Sequence, residues 1–196
     1  MRLIVGLGNP GREYEWTPHN MGFLAIDALA GRTGIRVTRP EAKSQIGLGE
    51  IAGQQVVLAK PQTMMNLSGV AVRMLLERYE CEAGEMIVLI DEADLPWGML
   101  RIRTRGRNST HNGLKSIISV LGTDDFIRAR MGVQPEQQWD DRKDYLLAEM
   151  NRAEREAAQQ EAVETAEAVE LILAEGVEKA MLRYNRRVST EDEGSE

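Results

Sequence analysis

Glu85-Met86-Ile87-Val88-Leu89-Ile90, followed at once by Asp91-Glu92-Ala93-Asp94-Leu95-Pro96, is the stretch from which the architecture is read. Residues 86–90 are apolar without alternation, so both faces of an extended segment are covered. That pattern belongs to a central strand with helices packed on each side. Carboxylates follow directly, and α/β proteins build their sites outside the carboxyl ends of such strands.

Working outward, Met1–Val5 is another short apolar run that leads into glycines, a buried strand followed by a tight loop. Met21, Phe23, Leu24, Ile26, Ala28 and Leu29 recur at helical spacing and predict a helix capped near Gly31. Gln45–Ile51 and Gln55–Lys60, on either side of Gly53, read as an antiparallel pair that Pro61 closes. Val70, Val72, Met74, Leu75 and Leu76 predict a second helix with Asn66 or Ser68 as N-cap. Leu100–Arg103 and Phe126–Val133 are further strands, separated by a helical stripe of Leu114, Ile117, Ile118 and Leu121. From about Asp144 to Tyr184 the chain reads as helix. The pattern predicts an α/β fold: a single-domain three-layer α/β/α sandwich around a mixed, mostly parallel twisted sheet.

A chain of 196 residues forms one domain and buries roughly 70% of its unfolded surface. With 42% hydrophobic and 28% charged residues it is neither disordered, collagen-like nor coiled-coil. A net charge of −7 excludes a wholly basic nucleic-acid binder, yet residues 1–135 balance at +2 and residues 136–196 at −9. A local basic face upstream is therefore compatible with the overall acidity. The single cysteine, Cys81, excludes an intrachain disulfide and any multi-cysteine metal site. Neither a signal-peptide pattern nor an apolar run of about 20 residues is present, so a soluble cytoplasmic protein is expected. The domain is expected over residues 1–187, with 188–196 as an acidic, disordered tail.

Gly6-Leu7-Gly8-Asn9-Pro10-Gly11 satisfies the dinucleotide-binding spacing after a strand. That chemistry needs a helix opening at the loop with its N–H groups free, whereas Pro10 removes a donor and residues 12–18 carry no helical stripe. A glycine turn for tight packing is the simpler reading, but it leaves Asn9 unexplained. In Thr17-Pro18-His19-Asn20 the proline suits a first helical turn, which puts His19 at a helix start, where the dipole disfavours imidazolium. A neutral histidine is a candidate general base, and only His19 and His111 exist to fill that role. Asp91, Glu92 and Asp94 could orient a histidine, hold magnesium or be solvated. Asn9, Asn66 and Asn112 each lie at a strand-to-helix connection, as N-caps or as amides that recognise a peptide group in a polar cleft. Arg101, Arg103, Arg105 and Arg107 alternate and so share one face, with Lys115, Arg128 and Arg130 downstream. They are either a phosphate-binding patch or solvated surface charge.

Together these segments resemble the bacterial peptidyl-tRNA hydrolase family. The resemblance rests on Leu3-Ile4-Val5-Gly6-Leu7-Gly8-Asn9-Pro10-Gly11, Tyr14, Thr17, His19-Asn20, Met65-Asn66-Leu67-Ser68-Gly69, Asp91-Glu92 and His111-Asn112-Gly113-Leu114-Lys115. The order is kept to about residue 185, where Tyr184-Asn185 matches. The resemblance implies a monomer without an obligate protein partner, which cleaves the ester joining a peptide to the tRNA 3′-terminal ribose without metal or cofactor. It implies His19 as the base that activates water, Asp91 as the group that holds it, and Asn9 at the scissile ester. Tyr14, Met64, Asn66 and Asn112 would line the channel for the peptide and the acceptor end. Arg103, Arg105, Lys115 and Arg130 are then candidates for acceptor-stem phosphates. Pro18, Met64 and Asn108-Ser109-Thr110 depart from the family's usual arginine, phenylalanine and glycine-rich loop. Two rivals are a nicotinamide-dependent oxidoreductase and a non-catalytic RNA-binding homologue; intact His19, Asn9 and Asp91 argue against the latter.

Overall fold

The computed structural model describes residues 1–106 and 110–185. Its strands are β1 (Arg2–Gly6), β2 (Arg39–Glu41), β3 (Ser44–Ile51), β4 (Gln54–Pro61), β5 (Met86–Glu92), β6 (Leu100–Arg103) and β7 (Ile127–Gly132). Its helices are α1 (Met21–Thr33), α2 (Ser68–Arg78), α3 (Asn112–Leu121), α4 (Arg142–Leu147), α5 (Arg152–Glu175) and α6 (Val177–Tyr184). All strands join one sheet in the order β2-β3-β4-β1-β5-β7-β6. The inner strands β4, β1, β5 and β7 are parallel. β2, β3 and β6 add antiparallel pairings at the two edges. The sheet is mixed, as expected, with the parallel character confined to its middle.

Alternation along the strands divides the core. Ile4, Ile87 and Leu89 face α1, α5 and α6 with Ile26, Leu29, Val169 and Ile172. Leu3, Val5, Met86, Val88 and Ile90 face α2 and α3 with Val72, Leu75, Leu114 and Ile117. β5 is buried from both sides because its apolar run leaves no polar face.

Several boundaries differ from the sequence reading. α1 runs through Gly31 to Thr33, and Gly34, at φ 73°, takes the left-handed cap position. α2 has Leu67 as N-cap without a side-chain bond, while Ser68 Oγ donates to the Met65 carbonyl and Asn66 lies in a 3-10 turn. The helical C-terminal region is three helices; Gly176, at φ 96°, separates the last two. The expected acidic tail lies outside the described residues.

At the start of α1 the chain packs backbone on backbone. A Cβ on Gly22 would lie 2.3 Å from the Leu7 amide nitrogen and 2.4 Å from the Leu89 carbonyl oxygen. A Cβ on Gly6 would lie 2.0 Å from the Gly22 carbonyl oxygen. The start of α1 therefore rests directly on β1 and β5, which puts residues 17–20 beside the carboxyl ends of both strands. Gly22→Ala is expected to destabilise the domain by about 3 kcal/mol, the upper part of the usual overpacking range. Urea unfolding checks this; a loss below about 0.5 kcal/mol, as for an ordinary surface change, would contradict the packing argument.

Candidate active site

His19 lies in a 3-10 turn, Pro18–Asn20, immediately before α1. Its Nδ1 is 2.9 Å and 3.0 Å from the two carboxylate oxygens of Asp91, the penultimate residue of β5. His111, directly before α3, places Nε2 at 2.9 Å from Asp91 Oδ1. The two imidazole rings are 4.8 Å apart. Asp91 is 2% exposed and works as an acceptor, so His19 donates Nδ1–H and keeps its lone pair on Nε2. His19 lines a cavity of about 510 Å³, where that lone pair is available to a water molecule.

Asn9 reaches the same cavity from the loop after β1. Its backbone is clamped by Asn20, whose Oδ1 accepts the Asn9 N–H at 2.9 Å and whose Nδ2 donates to the Asn9 carbonyl at 3.0 Å. Asn9 Oδ1 in turn accepts the Met65 N–H at 2.8 Å. With the oxygen engaged, the side-chain NH₂ is the group Asn9 offers to the cavity. A donor held by backbone bonds is preorganised for a carbonyl or an oxyanion.

Of the other candidates, Met64, Asn66 and Asn112 line the cavity and Tyr14 is not among its lining residues. None of the three asparagines caps a helix. His111 caps α3 instead: its Nδ1 accepts the N–H groups of Gly113 at 3.1 Å and Leu114 at 3.4 Å. Pro18 is buried and lines a neighbouring pocket with Tyr145. Thr110 lies on the wall of the cavity that His19 lines; Asn108 and Ser109 are outside the described residues.

The basic residues divide. Arg128 is fully buried, its guanidinium 4.3 Å from the centre of the Phe126 ring and donating to the Asp124 carbonyl. Burial, with Arg130 nearby, pushes it down to about 10. Arg130 is half-buried and donates to Glu92 at 3.1 Å. Arg128 is thus withdrawn from the surface, and Arg130 is paired with Glu92. Arg103, Arg105 and Lys115 are exposed, with Arg105 3.5 Å from Asp125. Arg107 is outside the described residues.

Metal binding is tested by donor chemistry. His19, Asp91 and His111 are close enough for one ion. His111 Nδ1, however, already accepts backbone N–H groups, so its Nε2 carries the proton and has no lone pair to give. The carboxylates at the end of β5 and just beyond it do not converge either: Asp91 serves the histidines, Glu92 binds Arg130 and Asp94 binds Arg142 at 2.6 Å. In this tautomer the His111 ring offers no ligand atom to an ion between His19 and Asp91.

Burial is the largest influence on His19 and lowers its pKa. The Asp91 charge and hydrogen bond raise it by more, so the net shift is upward. Asp91 thus overrides the helix-start argument for a neutral imidazole. On Asp91 burial acts to raise the pKa, and His19 and His111 together bring it far below the carboxylate range. His111 and Asn20 are the site residues that sequence reasoning did not assign. The count of two histidines pointed at His111, but its cap and its bond to Asp91 need the fold.

A family model described as peptidyl-tRNA hydrolase matches residues 3–192. A peptidyl-tRNA hydrolase of Solibacter usitatus is 47% identical over 187 residues, covering 95% of each chain. One from Koribacter versatilis is 46% identical over 197 residues, covering 100% of this chain and 98% of that one. The crystal structure of peptidyl-tRNA hydrolase from Acinetobacter baumannii superposes with a TM-score of 0.88 at 31% identity, covering 95% of each chain.

The electrostatic balance gives a sign to test. In the native chain His19 is expected to titrate above the ordinary histidine value of about 6.5. Stability from the His19–Asp91 pair is then fully present below the unfolded histidine value and lost as pH rises through the native one. In Asp91→Asn burial is unopposed, so His19 should titrate below its ordinary value. Histidine NMR titration of both proteins reads this directly; an unmoved or upward-shifted His19 would contradict the assignment of causes.

Proposed function

The chain belongs to the peptidyl-tRNA hydrolase family and is an enzyme that hydrolyses peptidyl-tRNA; we propose that His19, Asp91 and Asn9 carry out the reaction. The observation that carries this reading is the Nδ1–H bond of His19 to buried Asp91, which leaves Nε2 as a base facing the cavity. His19 Nε2 takes a proton from water as the oxygen attacks the ester carbonyl. Asp91 holds the imidazole in the required tautomer and balances the imidazolium charge. The Asn9 amide donates to the oxyanion. When the tetrahedral intermediate collapses, the proton on Nε2 passes to the departing ribose oxygen, releasing tRNA and a free peptide carboxylate. A base whose pKa lies near the operating pH is suited to both steps.

The channel side chains follow the same reading. Met64, Asn66 and Asn112 contact the peptide and the tRNA 3′ end, and Arg103, Arg105 and Lys115 face the acceptor-stem phosphates. We place residues 1–187 as one catalytic domain acting in the cytoplasm as a monomer, with no obligate protein partner, to recycle products of aborted translation. Among the described residues no helix is long and apolar enough to cross a membrane.

Incubation with a defined N-blocked aminoacyl-tRNA, following release of free tRNA, tests the assignment. His19→Ala is expected to lower kcat by about 10²–10⁴ with tRNA affinity nearly unchanged. Activity should survive EDTA. A His19→Ala variant that keeps a tenth of the wild-type kcat ends the assignment.

Arg105→Glu and Lys115→Glu are expected to raise KM for peptidyl-tRNA and to spare a minimal substrate that lacks the stem. For every phosphate that goes unpaired the salt slope should fall by about 0.7–0.9. Comparing both substrates across a salt series checks this. Equal losses on the two substrates would mean that the stem is held elsewhere.

A further inference from the structure

His111 has no part in the chemistry above, yet its side chain is 7% exposed and both ring nitrogens are engaged. The N–H groups of Gly113 and Leu114 belong to the first turn of α3, where helix donors have no partner within the helix. Their bonds to Nδ1 settle the tautomer, with the proton on Nε2 and directed at Asp91 Oδ1. That oxygen also receives His19 Nδ1–H at 2.9 Å, whereas among the described residues Oδ2 receives His19 alone, at 3.0 Å. Two donors on one oxygen divide its charge between them.

The cap is held in place by packing. A Cβ on Gly113 would lie 2.6 Å from Met65 Sδ and 2.7 Å from Leu7 Cδ1, so the first turn of α3 is seated on the floor of the site. Helix donors bonded to Nδ1 also polarise the ring and strengthen Nε2–H as a donor.

We infer that His111 is a positioning residue for the hydrolysis: it holds the Asp91 carboxylate in one orientation and draws charge away from the Asp91–His19 bond, so that His19 is oriented without its proton being overbound. The inference rests on His19 being the base. The other charged groups at the cavity come from β5 and α4. Glu92 is paired with Arg130, Asp94 with Arg142, and Asp141 Oδ1 accepts the Lys143 N–H at 2.8 Å. Arg142 and Lys143 also line the cavity. A substitution at position 111 leaves this background in place.

The test is the pH profile of His111→Asn. Asparagine is a strong N-cap, so α3 keeps its cap, but its side chain ends where Nδ1 lies and leaves Asp91 to His19 alone. The acid limb of kcat/KM on N-blocked aminoacyl-tRNA is expected to move up by about 0.5–1 pH unit, lowering the rate on the limb about three- to tenfold. The high-pH plateau should fall by less than about tenfold, since the base itself remains. His111→Ser, a second capping residue, is expected to move the limb in the same direction and stands in if the asparagine variant does not fold. A cap with no other role would change the melting temperature and leave the limb unmoved; a limb within about 0.2 unit of the native one overturns the inference. So does a ¹⁵N spectrum of the native protein at pH 8 that places the His111 proton on Nδ1. Full activity in His19→Ala is a different result: it removes His19 as base, and this inference with it.

Discussion

A buried carboxylate is costly unless donors meet it, and Asp91 finds its two imidazole donors only because three parts of the chain converge on it. β5 supplies the carboxylate, the turn before α1 supplies His19, and the residue before α3 supplies His111. Burial would raise the Asp91 pKa, and the two histidines reverse the effect. The geometry of the site follows from this requirement. α1 must approach β1 and β5 closely enough for His19 to reach, which leaves no room for a Cβ at Gly6 or Gly22. α3 must approach closely enough for His111 to reach, which leaves none at Gly113. At Gly6 and Gly22 glycine lets backbone meet backbone, and at Gly113 it lets the helix settle on the Met65 and Leu7 side chains.

The same close packing fixes the other half of the chemistry. Asn9 is held through its backbone by Asn20, the neighbour of His19, and through its side-chain oxygen by the Met65 N–H. His19 and Asn9, the proposed base and amide donor, therefore share one support, and a displacement of the turn moves both together. Rate enhancement by an oxyanion donor depends on its being fixed before the charge develops. A clamp of two buried hydrogen bonds meets that need better than a side chain free to rotate.

What could be read from the sequence reflects how local each signal is. The run from Met86 to Ile90 identified the central strand because nothing in it is polar, and Gly53 with Pro61 bounded the hairpin. The end of α1 was misplaced because Gly31 looks like a stop. It sits in the helix with nothing within 4 Å of where its Cβ would be, while Gly34 takes the left-handed cap. The asparagines were legible as polar residues at strand-to-helix connections, but not as to their partners: Asn9 bonds Met65, fifty-six positions on. Cap preferences are local statistics and cannot see such a bond, which is also why His111 was not expected to cap α3. Alternation put Arg101 and Arg103 on one face, but did not show that opposite them on β7 Arg128 is buried and Arg130 is paired with Glu92.

The sheet also reconciles an acidic chain with an anionic substrate. Leu100 and Ile102 of β6 turn toward the layer of α5 and α6, so Arg101 and Arg103 turn to the opposite side, where α3 carries exposed Lys115. Most of the excess negative charge lies in residues 136–196, and within the described residues these form α4, α5 and α6. A helix with its side chains is about 10 Å across. The outer surface of α5 and the far face of the sheet are thus separated by more than the Debye length of about 8 Å at physiological ionic strength. The acidic surface of α5 is screened from the basic one, whereas α4 lines the cavity itself, and net charge says little about which face meets RNA. What matters is the side of the sheet on which each charge is displayed, and the parity of β6 decides that for its arginines.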